Sequence, residues 1–189
     1  TGILHPDRCA GARPALGQVA DPHEGCEHDQ PDEATLRQQF EHALRDELKA
    51  AKNEYWATEV EVSRLAASAW TALSLGKKEE ALEVMRRAAD IEDKNEKHIV
   101  TPGRILPARE LLGYMLLELK RPAEALKEFE ASQIREPNRF HGFAGAARAA
   151  AESGNSAKAK QNYTRLIELV GKGDSRPELE QAKVFLAQR

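Results

Sequence analysis

The sequence predicts an all-α solenoid of short, stacked helical hairpins, and three observations lead there. The stretch 107–137 (PARELLGYMLLELKRPAEALKEFEASQIREP) reads as helix, tight turn and helix, closed by Pro137. Its spacing recurs: Ala159 and Tyr163 stand 34 residues after Ala125 and Phe129, and Ala81 stands 44 residues before Ala125. Each unit is too small to bury its own apolar face, so the copies must lean on one another. Composition agrees: 41% apolar, 31% charged and only 5% aromatic over 189 residues suits one domain with a real core.

Residues 1–31 stand apart. They hold four of the nine prolines, both cysteines and three of the six histidines, with no amphipathic period, so they read as an irregular arm. His5, Cys9, His23, Cys26 and His28 are its potential metal ligands, because thiolate and imidazole suit a tetrahedral zinc site. No paired Cys-x2-Cys anchors such a site. A Cys9–Cys26 disulfide, which implies a periplasmic or secreted chain, and a loosely docked arm with two free thiols are the other readings. The chain opens on Thr1 without an initiator methionine or a secretory signal, which reads as a processed chain or a piece of a longer one.

The helical domain spans 32–189. Leu36, Phe40, Leu44 and Leu48 recur every four residues after a capping Asp32, giving a first helix with one apolar stripe. A second helix, 54–75, has apolar positions around most of its surface, which predicts contact on several sides; Trp56 is expected in the core. Gly76 ends it, and a partner helix to about Lys94 buries Ala81, Leu82, Met85, Ala88 and Ala89. The interruption 93–105 is the longest in the array, with Thr101-Pro102-Gly103 as its turn. Inserts of this kind lie on one face and border binding surfaces, which singles out His98 and Arg104.

Later turns are cleaner. Pro122 sits in the first turn of its helix, where a missing N–H costs nothing. Asn138 is placed to cap a helix rich in small residues, 143–151, which predicts a close packing face. Gly154 ends it, and Asn155 or Ser156 begins its partner. Ser175-Arg176-Pro177-Glu178 is a capping box opening a terminal helix, 175–188, that buries Leu179, Ala182, Val184, and Phe185 or Leu186 and covers the last hairpin.

These positions resemble the tetratricopeptide repeat (TPR) family, whose pattern is Leu-Gly, an aromatic, Ala, an aromatic, Ala and Pro at set offsets. One copy supplies Leu112-Gly113, Leu116, Ala125, Phe129, Ser132 and Pro137. The next supplies Phe143, Ala146-Ala147, Gly154, Ala159, Tyr163 and Leu166, and the first Leu65, Ala69, Gly76, Ala81, Met85 and Ala88. Departures are the missing Pro in two copies and Lys120 where the turn glycine would stand. From about Leu44 onward the chain is similar to the C-terminal part of bacterial TPR proteins of unassigned role. The resemblance implies a right-handed superhelix of about three repeats (approximately 62–95, 106–139 and 140–173) with an extra helix at each end.

It also implies a concave groove lined by the first helix of every repeat. The positions that match are Ser63, Ala66, Trp70 and Leu73, then Pro107, Glu110, Leu111, Tyr114, Leu117 and Glu118, then His141, Ala144, Arg148, Ala151 and Glu152. Partner contacts are expected at Trp70, Glu110, Tyr114, Leu117, Glu118, His141 and Arg148. The central trio, Trp70, Tyr114 and Arg148, belongs to the types enriched at binding hot spots. Family members that clamp a terminal carboxylate carry Lys and Asn there; an apolar peptide with a basic residue near Glu110 and Glu118 fits these residues better.

The function expected is a non-catalytic scaffold that binds a protein or peptide without a cofactor. No phosphate loop, nucleophile elbow or His-Glu-x-x-His motif occurs. A net charge of -3 with interleaved signs argues against nucleic acid. No apolar run approaches the ~20 residues that span a membrane. The alternatives are a homo-oligomer formed through the open N-terminal end, or metal binding through the arm.

Overall fold

The computed structural model describes residues 33–96, 104–171 and 176–187. The arm, with its five candidate ligands, and His98 lie outside them. All regular structure among the described residues is helical: α1 (Glu33–Ala50), α2 (Glu54–Ser74), α3 (Lys78–Lys94), α4 (Ala108–Glu118), α5 (Pro122–Arg135), α6 (Phe140–Glu152), α7 (Ser156–Val170) and α8 (Pro177–Ala187).

The pairs α2–α3, α4–α5 and α6–α7 are joined by one repeated turn. Gly76, Lys120 and Gly154 take φ of 79°, 59° and 78°. In each, the next N–H donates to a carbonyl five residues back: Lys77 to Ala72 (3.0 Å), Arg121 to Leu116 (2.8 Å) and Asn155 to Ala150 (2.8 Å). This Schellman closure satisfies carbonyls that the helix end leaves open. Lys120 adopts the left-handed conformation although it carries a Cβ, so losing the glycine changed the residue and kept the turn. The α1–α2 link repeats it as well, with Lys52 at φ 57° and Asn53 donating to Leu48 (2.9 Å).

Ala81, Ala125 and Ala159 are each the fourth residue of α3, α5 and α7, and none has exposed surface. Three hairpins therefore carry one small residue at one place, where a larger side chain would push the paired helices apart. Phe129 locks the middle of the stack. A Cβ on Gly113 of α4 would lie 2.7 Å from its ring, and a Cβ on Gly145 of α6 only 2.3 Å away. The ring fills the space those glycines leave, joining three helices at one side chain. Tyr163, its counterpart in α7, lies 5.0 Å from Phe185 of α8, between ring centres.

The backbone of α4 approaches both α2 and α6, whereas no comparable approach joins α3 to α5 or α5 to α7. There long side chains span the gap, Arg86 to Glu124 and Lys158 to Glu130. The first helices of the hairpins thus form the tighter, inner wall of the array.

Several expectations need correction. Leu36 and Phe40 of α1 are 51% and 66% exposed, because α2 reaches only the half of the stripe around Leu44 and Leu48. Trp56 is 44% exposed and stands edge-on to Tyr55 at 5.1 Å, outside the core. Asn138 does not cap α6; it takes φ 60° in the link, and Arg139 holds the cap position without a side-chain bond. Val184 is 61% exposed, while Leu179 and Ala182 are buried and Phe185 and Leu186 half-buried. The sequence left the register of α8 open by one position.

Candidate partner-binding groove

The inner wall is set by a joint between the first two hairpins. Arg104, four residues before the start of α4, has a side chain 9% exposed. Its guanidinium faces three carboxylates: Glu59 of α2 (3.0 Å), Glu92 of α3 (3.3 Å) and Glu136 after α5 (3.6 Å). It also donates to the Asn95 carbonyl (2.9 Å), and the Asn95 amide donates to Glu59 (2.7 Å). Glu92 accepts the N–H of Ala108 at the start of α4 (2.8 Å), as a carboxylate does at the positive end of a helix. Burial nevertheless pushes the Glu92 carboxyl up to about 7, against the pull of that N–H and of Arg104. Arg104, read from the sequence as a residue bordering a binding surface, is occupied inside the molecule.

A second arginine extends the joint. Arg139 donates to Glu110 (2.8 Å) and to the carbonyls of Arg104 and Ile105 (both 2.8 Å), tying the start of α6 to α4. Glu110 is 2% exposed and Leu117 fully buried. These two expected contact residues are placed as supports behind the wall, where neither has surface to offer a partner. The period was right, but α4 is enclosed on more sides than a groove-lining helix requires.

The other five expected residues keep some exposed surface. Trp70 is half-buried against the core. Tyr114 stands edge-on to Phe129 at 5.0 Å; its hydroxyl donates to the His141 carbonyl (3.2 Å) and lies 3.3 Å from that residue's Nδ1. Burial raises its hydroxyl to about 12, so it stays protonated and a donor. Glu118 and His141 are exposed. Arg148 donates to Glu152 one turn on (2.7 Å) and also feels Glu118 and Tyr114.

The sequence reading missed what α8 adds. Arg176 stacks over the Phe140 ring at 4.6 Å, and Glu178 is close enough to act on the Tyr114 hydroxyl. The last helix thus continues the inner wall beyond α6. Between them opens a cleft of about 660 Å³, lined by Arg148, Ala151, Tyr163, Val184 and Phe185 among others. Its only signal in sequence was an apolar Val-Phe-Leu run one residue too wide for a single buried face. No group of three or more His, Cys, Asp or Glu among the described residues is placed to hold a metal ion, and no described helix is long and apolar enough to cross a membrane.

Comparison with known proteins bears on the first hairpin. The tetratricopeptide repeat family model matches residues 64–95, which run through the second half of α2 and all of α3. The chain carries a tetratricopeptide repeat. With α4–α5 and α6–α7 closed by the same turn and seating the same alanine, the fold is an all-α solenoid of TPR type. No curated protein matches the chain. Among solved structures it is similar to the crystal structure of PcrH from Pseudomonas aeruginosa, at 15% identity and a TM-score of 0.49, over 66% of this chain and 88% of that one.

Proposed function

We propose that this TPR array is a non-catalytic interaction module whose inner wall holds a segment of a partner protein or peptide. The observation that carries it is the line Tyr114, His141, Arg148 and Glu152, fixed on rigid helices, partly exposed and hydrogen-bonded in place. Aromatic and arginine side chains ordered before binding lose little entropy when a partner arrives. Ordered aromatic, arginine and carboxylate groups side by side on this wall support recognition as its work.

A photo-crosslinking amino acid at Glu118 or His141, compared with one at the exposed Lys127 of the outer helix α5, tests this in cells of the source organism. Partner adducts are expected from the two inner positions and not from the outer one. Adducts from Lys127 alone overturn it. Exposed Leu36 and Phe40 on α1 favour a second reading, self-association through the N-terminal end. Light scattering across concentrations decides it: a dimer abolished by Phe40→Glu supports that reading, and a monomer throughout refutes it.

A further inference from the structure

We infer that the cleft between α6 and α8 takes one bulky apolar side chain of the partner, with a lysine or arginine beside it. The inference rests on the inner-wall reading above and specifies the partner for one part of that wall. Tyr163, 5% exposed, and the half-buried Phe185 form the apolar floor, with Ala151 beside them. Val184 stands 61% exposed at the side, on the short helix that should be covering the end of the array. Together with Tyr163, Phe185 and Ala151 it makes one continuous apolar lining. The cleft, about 660 Å³ and open to solvent, admits a bulky apolar side chain from outside.

Charge selects the neighbour. The lining carries Glu152 and Glu180 against one cation, Arg148. That guanidinium already donates to Glu152 and lies in the field of Glu118 too. Glu180 is engaged by Lys183 (2.7 Å), but both are more than half exposed, and an exposed pair at i,i+3 exchanges readily for a better partner. Within the lining an incoming cation therefore meets two carboxylates against one guanidinium.

The test is selection of a random peptide library of about 12 residues on the full chain. Affinities of the enriched peptides are then measured by fluorescence anisotropy against wild type, Val184→Lys, Glu180→Lys and His141→Ala. Circular dichroism confirms that each variant is folded, as their exposure predicts. The expected peptides carry Leu, Phe, Met or Trp with Lys or Arg within three positions. Val184→Lys, or alanine in place of the apolar residue, should weaken binding about tenfold or more. Alanine combined with Val184→Lys should cost little beyond either alone. Peptides that ignore Val184→Lys but weaken with His141→Ala overturn the cleft and leave the inner-wall reading standing. Acidic flanking residues, or affinity unmoved by Glu180→Lys, overturn the charge preference. A selection that enriches no binder contradicts both readings.

Discussion

Phe129 is the residue on which the middle of the stack turns, and its neighbours show what a single methyl would do. A Cβ on Gly145 would sit 2.3 Å from the ring, closer than the 2.7 Å at Gly113. Gly145→Ala should therefore destabilise by about 1–3 kcal/mol, and more than Gly113→Ala, in chemical denaturation with an unchanged denaturant slope. Equal stability of Gly145→Ala and wild type would mean the ring is not clamped. Lys120→Gly should do the opposite. Its φ of 59° costs a residue with a Cβ about 1–2 kcal/mol, and glycine's freedom when unfolded returns about 0.4–1 kcal/mol of that, so a net gain of roughly 0.5 kcal/mol is expected. Gly113 was legible as part of a spaced pattern. Gly145 was not, because within a run of small residues nothing in the sequence marks which one faces a ring.

Between elements, the Arg104 joint is the least legible feature and the most consequential. Its carboxylates, Glu59, Glu92 and Glu136, come from three separate hairpin elements, and isolated glutamates in a helical sequence read as solvated faces. Only packing shows that they converge. Removing the guanidinium that all three face takes the shared cation from Glu92 and Glu136, both under 10% exposed, so Arg104→Met should destabilise by about 3 kcal/mol. The joint also predicts a pH signature. Folded Glu92 keeps its proton up to about 7, whereas the unfolded carboxyl loses it near 4.5. Over that window the folded state binds the extra proton, so this contribution to stability is full below 4.5 and is lost as pH rises through 7. Glu92→Gln, which keeps an acceptor for the Ala108 N–H, should remove that part of the slope in melts taken from pH 4.5 to 8. An unchanged slope would place the proton elsewhere. Glu61, hydrogen-bonded by Arg64 and Arg45 and held at about 2, works in the opposite sense: its contribution is lost on acidification below 4.5.

At the scale of the whole molecule, the hairpin period, the recurring alanine and the turns were readable because each is local or repeats at a fixed spacing. Curvature was not, since the approach of α4 to α2 and α6 depends on side chains from every hairpin. The same limit explains why Glu110 and Leu117 are buried while the other five expected groove residues keep some exposure. Burial around a helix depends on neighbours that its own period does not record. The central claim is that a partner lies along this inner wall, and hydroxyl-radical footprinting of the free and partner-bound chain tests it most directly. Tyr114, His141 and Phe185 should lose reactivity on binding while Ile134, 83% exposed on α5, keeps its own. Protection of Ile134 and Leu169 with the inner residues unchanged would contradict it.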